Sequence, residues 1–143
     1  MKKVGSTFEY EEARNKDLLR AFNVQCDAHP YWSMPEIFKA VVDMPSERFW
    51  VSEERAAIVI SNLFNGASLH KMGATKREMY LEIFRRVQEL KKKRPKDSIY
   101  NLTFDVVNGK APKFYLTPGS AKVILHKIKH GWYEERKHKS RRY

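Results

Sequence analysis

Shifted against itself by 65 residues, the sequence aligns without a gap. Val41-Val42-Asp43 falls on Val106-Val107-Asn108, and Arg48-Phe49-Trp50-Val51-Ser52 falls on Lys113-Phe114-Tyr115-Leu116-Thr117. Ala56, Ile58, Val59 and Ile60 fall on Ala121, Val123, Ile124 and Leu125. Over positions 41–60, 4 residues are identical and 8 more are conservative. The register holds outside that window, where Arg20, Pro30, Ser33 and Gly66 meet Arg85, Pro95, Ser98 and Gly131. One constant offset over this distance predicts a duplicated unit, 8–66 and 73–131, followed by a basic tail, 132–143. A unit of about 58 residues is marginal alone, so the two are expected to pack as one globule.

Each unit has the pattern of three helices, so the expected fold class is all-α. The first helix is expected over 8–27, with Ser6 and Glu9 as a capping box, and its counterpart starts at Thr75 and Glu78. Met79, Ile83, Phe84, Val87 and Leu90 recur there at helical spacing, and Pro95 stops the helix beyond the Lys91–Arg94 run. The second helices are short, 34–43 and 98–108. Ser33 caps the first of them, Pro35 sits in its first turn and Glu36 completes a box. A connector of about eight residues follows in each unit, and its aromatic pair is expected to put Phe49 and Phe114 into the core. The third helices start at Ser52 and at Thr117-Pro118 and end at Gly66 and Gly131, which supply left-handed C-caps.

Charge divides along the chain. Residues 1–72 hold 9 Lys/Arg against 10 Asp/Glu, and residues 73–143 hold 19 against 7. A net charge of +11, almost all from the second half, predicts an electrostatic footprint for a polyanion on one lobe. With 42% hydrophobic and 13% aromatic residues the chain can build a core. The longest apolar run, Ala56–Ile60, is far short of a membrane span, so no membrane contact is expected. Met1–Gly5 is followed by no apolar stretch, so no signal peptide is expected, and the single Cys26 fits a reducing cytoplasm.

Three short helices, the last two joined by a turn, resemble a helix-turn-helix or homeodomain-like unit. Two in tandem are similar to Myb-type and paired-type DNA-binding proteins, and the sequence also resembles small basic proteins of bacteria and phages. The resemblance implies that the third helix of the second unit enters the major groove of duplex DNA. Its solvent face, once core positions are subtracted, holds Ser120, Lys122, Val123, His126, Lys127, Lys129 and His130. The expected nucleic-acid contacts are Lys113, Lys122, His126, Lys127 and Lys129, with Arg136, Lys137, Lys139, Arg141 and Arg142 of the tail. Trp132, Tyr133 and Tyr143 interleave that tail with rings that stack on single-stranded bases, so RNA is an alternative partner. The matching face of the first unit holds Glu53, Glu54, Arg55, Ala57, Ile58, Ser61, Asn62 and Asn65, which suits a protein partner, a second copy or the second unit itself. A phage-type structural or accessory protein is therefore the other alternative.

No enzymatic activity, cofactor or metal is expected. His126 and His130 share a helix face but have no Cys or carboxylate beside them to complete a zinc site. Glu11/Glu12, Glu53/Glu54 and Glu134/Glu135 are adjacent in sequence and point about 100° apart on a helix, so they do not form an acid/base pair. Ser52 and Thr117 have the character of helix caps. Cys26 has no activating base in its pattern. No Gly-rich phosphate loop is present. A cytoplasmic location, at the nucleoid if DNA is the partner, completes the expectation.

Overall fold

The computed structural model describes the backbone of residues 3–135 and the side chains of residues 9–135. It is all-helical: α1 (Lys3–Ala28), α2 (Met34–Val42), α3 (Glu53–Phe64), α4 (Ala74–Lys93), α5 (Ile99–Val107) and α6 (Pro118–Lys129). A helical segment at 132–135 follows, and no strand is formed among the described residues. The bounds of α2 and α5 lie 65 residues apart at both ends, and so do those of α3 and α6.

Local chemistry sets the helix ends. Ser52 Oγ accepts from Arg55 N–H at 3.1 Å, Ser98 Oγ from Asn101 N–H at 3.1 Å and Thr117 Oγ1 from Ser120 N–H at 3.1 Å. Each satisfies an amide the first turn leaves without a partner. Gly66 (φ 90°) and Gly131 (φ 69°) take the left-handed conformation that ends the third helices. Three expected caps differ. α1 begins at Lys3, so Ser6 lies inside the helix and not at its cap. α4 is capped by the extended Gly73, which places Thr75 inside its first turn. Ser33 holds the cap position of α2 but its side chain makes no cap hydrogen bond.

The chain forms two compact units that cut across the contiguous units expected at 8–66 and 73–131. One unit comprises residues 1–44 and 116–143, the other Pro45–Tyr115. In the first, α2 packs on α6 and α1 packs on both. In the second, α5 packs on α3 and α4 packs on both. Each unit thus takes its third helix from the other half of the sequence. The connector over residues 43–52 buries Phe49, whose N–H donates to Val107 O at 3.0 Å.

The unit Pro45–Tyr115 has the larger cluster of buried residues, with Phe49, Ile60, Ile83, Val87, Leu102 and Val107 fully enclosed. Phe49 stacks on Tyr115 with ring centroids 5.9 Å apart, and the Arg86 guanidinium lies 5.0 Å from the Phe49 centroid. Phe114 is buried as well, so both connector phenylalanines lie where the pattern predicts. Tyr115 takes a positive φ of 56°, a strained choice for an aromatic residue that its burial sustains. Burial also pushes its phenol up to about 12. The other unit buries Leu18, Ala21, Ile37, Val41, Ala121 and Leu125, with Phe22 stacked on Phe38 at 6.0 Å. Its Asp17 carboxylate has no exposed surface and accepts from Arg20 at 2.6 Å.

The exchange of third helices also redistributes charge. Residues 1–44 with 116–143 hold 14 Lys/Arg against 9 Asp/Glu, and Pro45–Tyr115 holds 14 against 8. The basic second half of the sequence is therefore not a basic lobe. Each compact unit is basic, by nearly the same amount.

Candidate nucleic-acid interface

α6 buries Ala121 and Leu125 in its unit and turns the opposite face to solvent. Lys122, His126, Lys129 and His130 recur there at i, i+4, i+7 and i+8, a single stripe along the helix. Val123 stands beside the stripe, half exposed at 52%. The helix contains no acidic residue, and among the described residues no carboxylate pairs with Lys122, Lys127 or Lys129. Lys127 and Lys129 lie in its last turn, where the carbonyl end of the macrodipole favours positive charge.

The aromatic residues after α6 divide their roles. Tyr133 Oη accepts from Arg14 Nη2 at 3.2 Å, and the Arg14 guanidinium lies 5.7 Å from its ring centroid, so Tyr133 is tied to α1. Trp132 is 39% exposed, meets Tyr133 edge-on at 5.0 Å and carries Lys127 Nζ 4.5 Å from its ring centroid. This cation–π contact holds an indole at the end of the α6 stripe. Arg136, Lys137, Lys139, Arg141 and Arg142 lie outside the described residues.

Lys113 is placed differently. It belongs to the other compact unit, its Nζ forms an ion pair with Glu78 and it lies 5.6 Å from the Tyr115 ring centroid. Most arginines of that unit are likewise engaged. Arg85 and Arg86 both bind Glu82 at 2.7 Å, and Arg48 donates to the carbonyls of Phe49 and Val51 at 3.1 and 2.8 Å. These cations hold the fold together. Among the described residues of that unit, the cations left exposed and outside any ion pair are Lys92, Lys93 and Lys96, clustered where α4 meets α5, and Arg55, Lys71, Lys76 and Lys110, scattered elsewhere. The sequence pattern marked the Lys91–Arg94 run only as a helix end.

α3 lacks a cationic stripe. Ala57 is buried, which removes it from the expected protein-binding face, while Ile58 is 54% exposed beside Glu54 and Arg55. An unanticipated aromatic patch stands at the bend between α1 and α2. His29 and Trp32 stack in parallel, centroids 3.5 Å apart, and Tyr31 next to them is 98% exposed. No periodicity marks such a patch, because it belongs to a bend. Its signal in the sequence is the short run His-Pro-Tyr-Trp.

Between the first half of α1 and the turn after α6 lies an open cavity of about 510 Å³, walled by Glu9, Glu11, Glu12 and Glu134 against Lys16. That wall repels phosphate. His126 and His130 have ring centroids 4.3 Å apart, and among the described residues no group of three or more His, Cys, Asp and Glu is placed to hold a metal. No described helix is long and apolar enough to cross a membrane. Comparison of the chain with protein-family models, with curated proteins and with solved structures returns no match.

Proposed function

We propose that this is a nucleic-acid-binding protein that contacts duplex DNA through the exposed face of α6, acting as a binding protein and not as a catalyst. The observation that carries the reading is the stripe Lys122, His126, Lys129 and His130 on a helix free of carboxylates. A helix with its side chains is about 10–12 Å across, which the major groove, about 12 Å wide, admits. Its lysines neutralise phosphates and release condensed counterions. Val123 suits contact with a thymine methyl group. In this reading α6 acts as the recognition helix of a helix-turn-helix-like unit, seated on α2 and α1. The basic tail adds phosphate contacts, and the protein works where nucleic acid is, in the cytoplasm of a bacterial or phage-infected cell. Trp132 supports a share of stacking on unpaired bases, so RNA and single strands belong in the same experiment.

The test is the double substitution Lys122→Glu with Lys129→Glu, assayed by fluorescence anisotropy on a labelled duplex, with unlabelled single strand and RNA as competitors. The reading predicts affinity weakened by roughly tenfold or more, with the thermal midpoint unchanged because both side chains are exposed. Unchanged affinity for all three nucleic acids would overturn it.

A second reading has one observation of its own. The patch of Tyr31, Trp32 and Met34 exposes 98%, 40% and 48% of those residues. Exposed aromatics and methionine are the side chains that anchor protein interfaces. A protein partner at this bend is compatible with nucleic acid on α6, and a pull-down with Tyr31→Ala/Trp32→Ala as control tests it.

A further inference from the structure

Resting on that reading, we propose that the corner between α4 and α5 is a second polyanion-contacting surface, in which Lys92, Lys93 and Lys96 contact nucleic-acid phosphates. The run Lys91-Lys92-Lys93-Arg94-Pro95-Lys96 sorts itself by geometry. Lys91 Nζ folds over the helix end and donates to the carbonyls of Pro95 and Asp97 at 3.1 and 2.8 Å. Arg94 donates to the Asp97 carboxylate at 2.5 Å and to the Asp105 carboxylate at 2.6 Å. These two residues fix the bend and neutralise its acids. Lys92, Lys93 and Lys96 are left exposed, and none of them pairs with a carboxylate among the described residues.

A bend already held by two cations fixes the backbone that carries the other three, so binding has to order only their side chains. A cationic last turn also serves the helix macrodipole. That role accounts for Lys92 and Lys93, but not for Lys96, which lies beyond the helix end at Lys93. Nor does the bend itself require lysine. Sixty-five residues earlier, α1 turns into α2 with Asp27, Ala28 and Tyr31 in the matching positions. The corner is basic where its counterpart is aromatic. This cluster gives the unit Pro45–Tyr115 a cationic surface of its own, although its third helix has none.

The experiment compares three full-length proteins on one duplex across a salt series: the unsubstituted chain, Lys92→Gln/Lys93→Gln/Lys96→Gln, and Lys122→Gln/Lys129→Gln. Exposed lysines exchanged for glutamine leave the fold intact, and circular dichroism verifies it. The proposal predicts that the corner variant lowers the slope of log K against log[salt] by about 0.9 for each lysine lost from a phosphate. If the corner variant keeps slope and affinity while the α6 variant loses both, the corner proposal is overturned and the α6 reading stands. If the unsubstituted chain shows no salt-dependent binding, both fall. If the corner variant keeps its nucleic-acid slope but no longer binds anionic lipid vesicles, the corner serves another polyanion and the proposal is overturned.

Discussion

Ser46 and Ala111 exchange two backbone hydrogen bonds, each donating its N–H to the other's carbonyl at 3.1 Å. They stand 65 residues apart, the offset that relates α2 to α5 and α3 to α6. The pair joins the connector that leads into α3 to the connector that leads out of α5. Ser46 is almost fully buried, and its hydroxyl lies 2.8 Å from Arg48 O and 3.2 Å from Lys113 O, again two residues 65 apart.

This stitch is testable by stability. Ser46→Ala removes the one hydroxyl proton that these two part-buried carbonyls share and is expected to cost about 1 kcal/mol. Ala111→Val places two extra carbons where Ala111 is 2% exposed, at a cost of about 1–3 kcal/mol. Chemical denaturation measures both.

Phe49→Ala is expected to be the most damaging single truncation on the connectors. The ring is fully buried between Tyr115 and the Arg86 guanidinium. Loss of about 3–5 kcal/mol is expected for a buried aromatic residue. Calorimetry that finds less than about 1 kcal/mol would show that the connector does not anchor the core.

Glu82 ties stability to acid. Hydrogen bonds from Arg85, and then from Arg86, hold its carboxyl at about 2, down from 4.5. Because the folded value is depressed, this stabilisation is complete above about pH 4.5 and is lost as pH falls toward 2. Glu82→Gln is therefore expected to unfold more readily than the unsubstituted chain at neutral pH, with the difference closing near pH 2. Thermal melts across that range decide it, and a difference that persists undiminished at the acid end contradicts the assignment.

Tyr31→Ala/Trp32→Ala is expected to shift the thermal midpoint only slightly, because Tyr31 is 98% exposed and Trp32, stacked on a half-buried His29, is 40% exposed. A fall of many degrees would make the patch part of the fold and remove the case for a docking site.

Much of this structure is legible in the sequence because it is local. Ser52, Ser98 and Thr117 announce their helices through side-chain caps, and Gly66 and Gly131 end theirs through backbone conformation. The exposed face of α6 follows from periodicity, since Ala121 and Leu125 fix which side is buried. Which unit a helix joins is not local. Nothing in Glu53–Phe64 states that its apolar face is complementary to α5, and the connector that carries it there has no period to read. The same non-locality hid the true distribution of charge. Counting along the chain assigns the positive excess to one half, whereas the exchange of α3 and α6 shares it between the units. Lys113 shows the remaining limit, because only geometry reveals that Glu78 already occupies it.

In the proposed function exposed lysines of this chain neutralise phosphate, and a salt titration of duplex binding by the full-length protein is the decisive measurement. Log K is expected to fall linearly with log[salt], with a slope of about 0.9 for each phosphate neutralised. A steep line is the expected result. A flat line, or no binding to DNA or RNA at low salt, would contradict it.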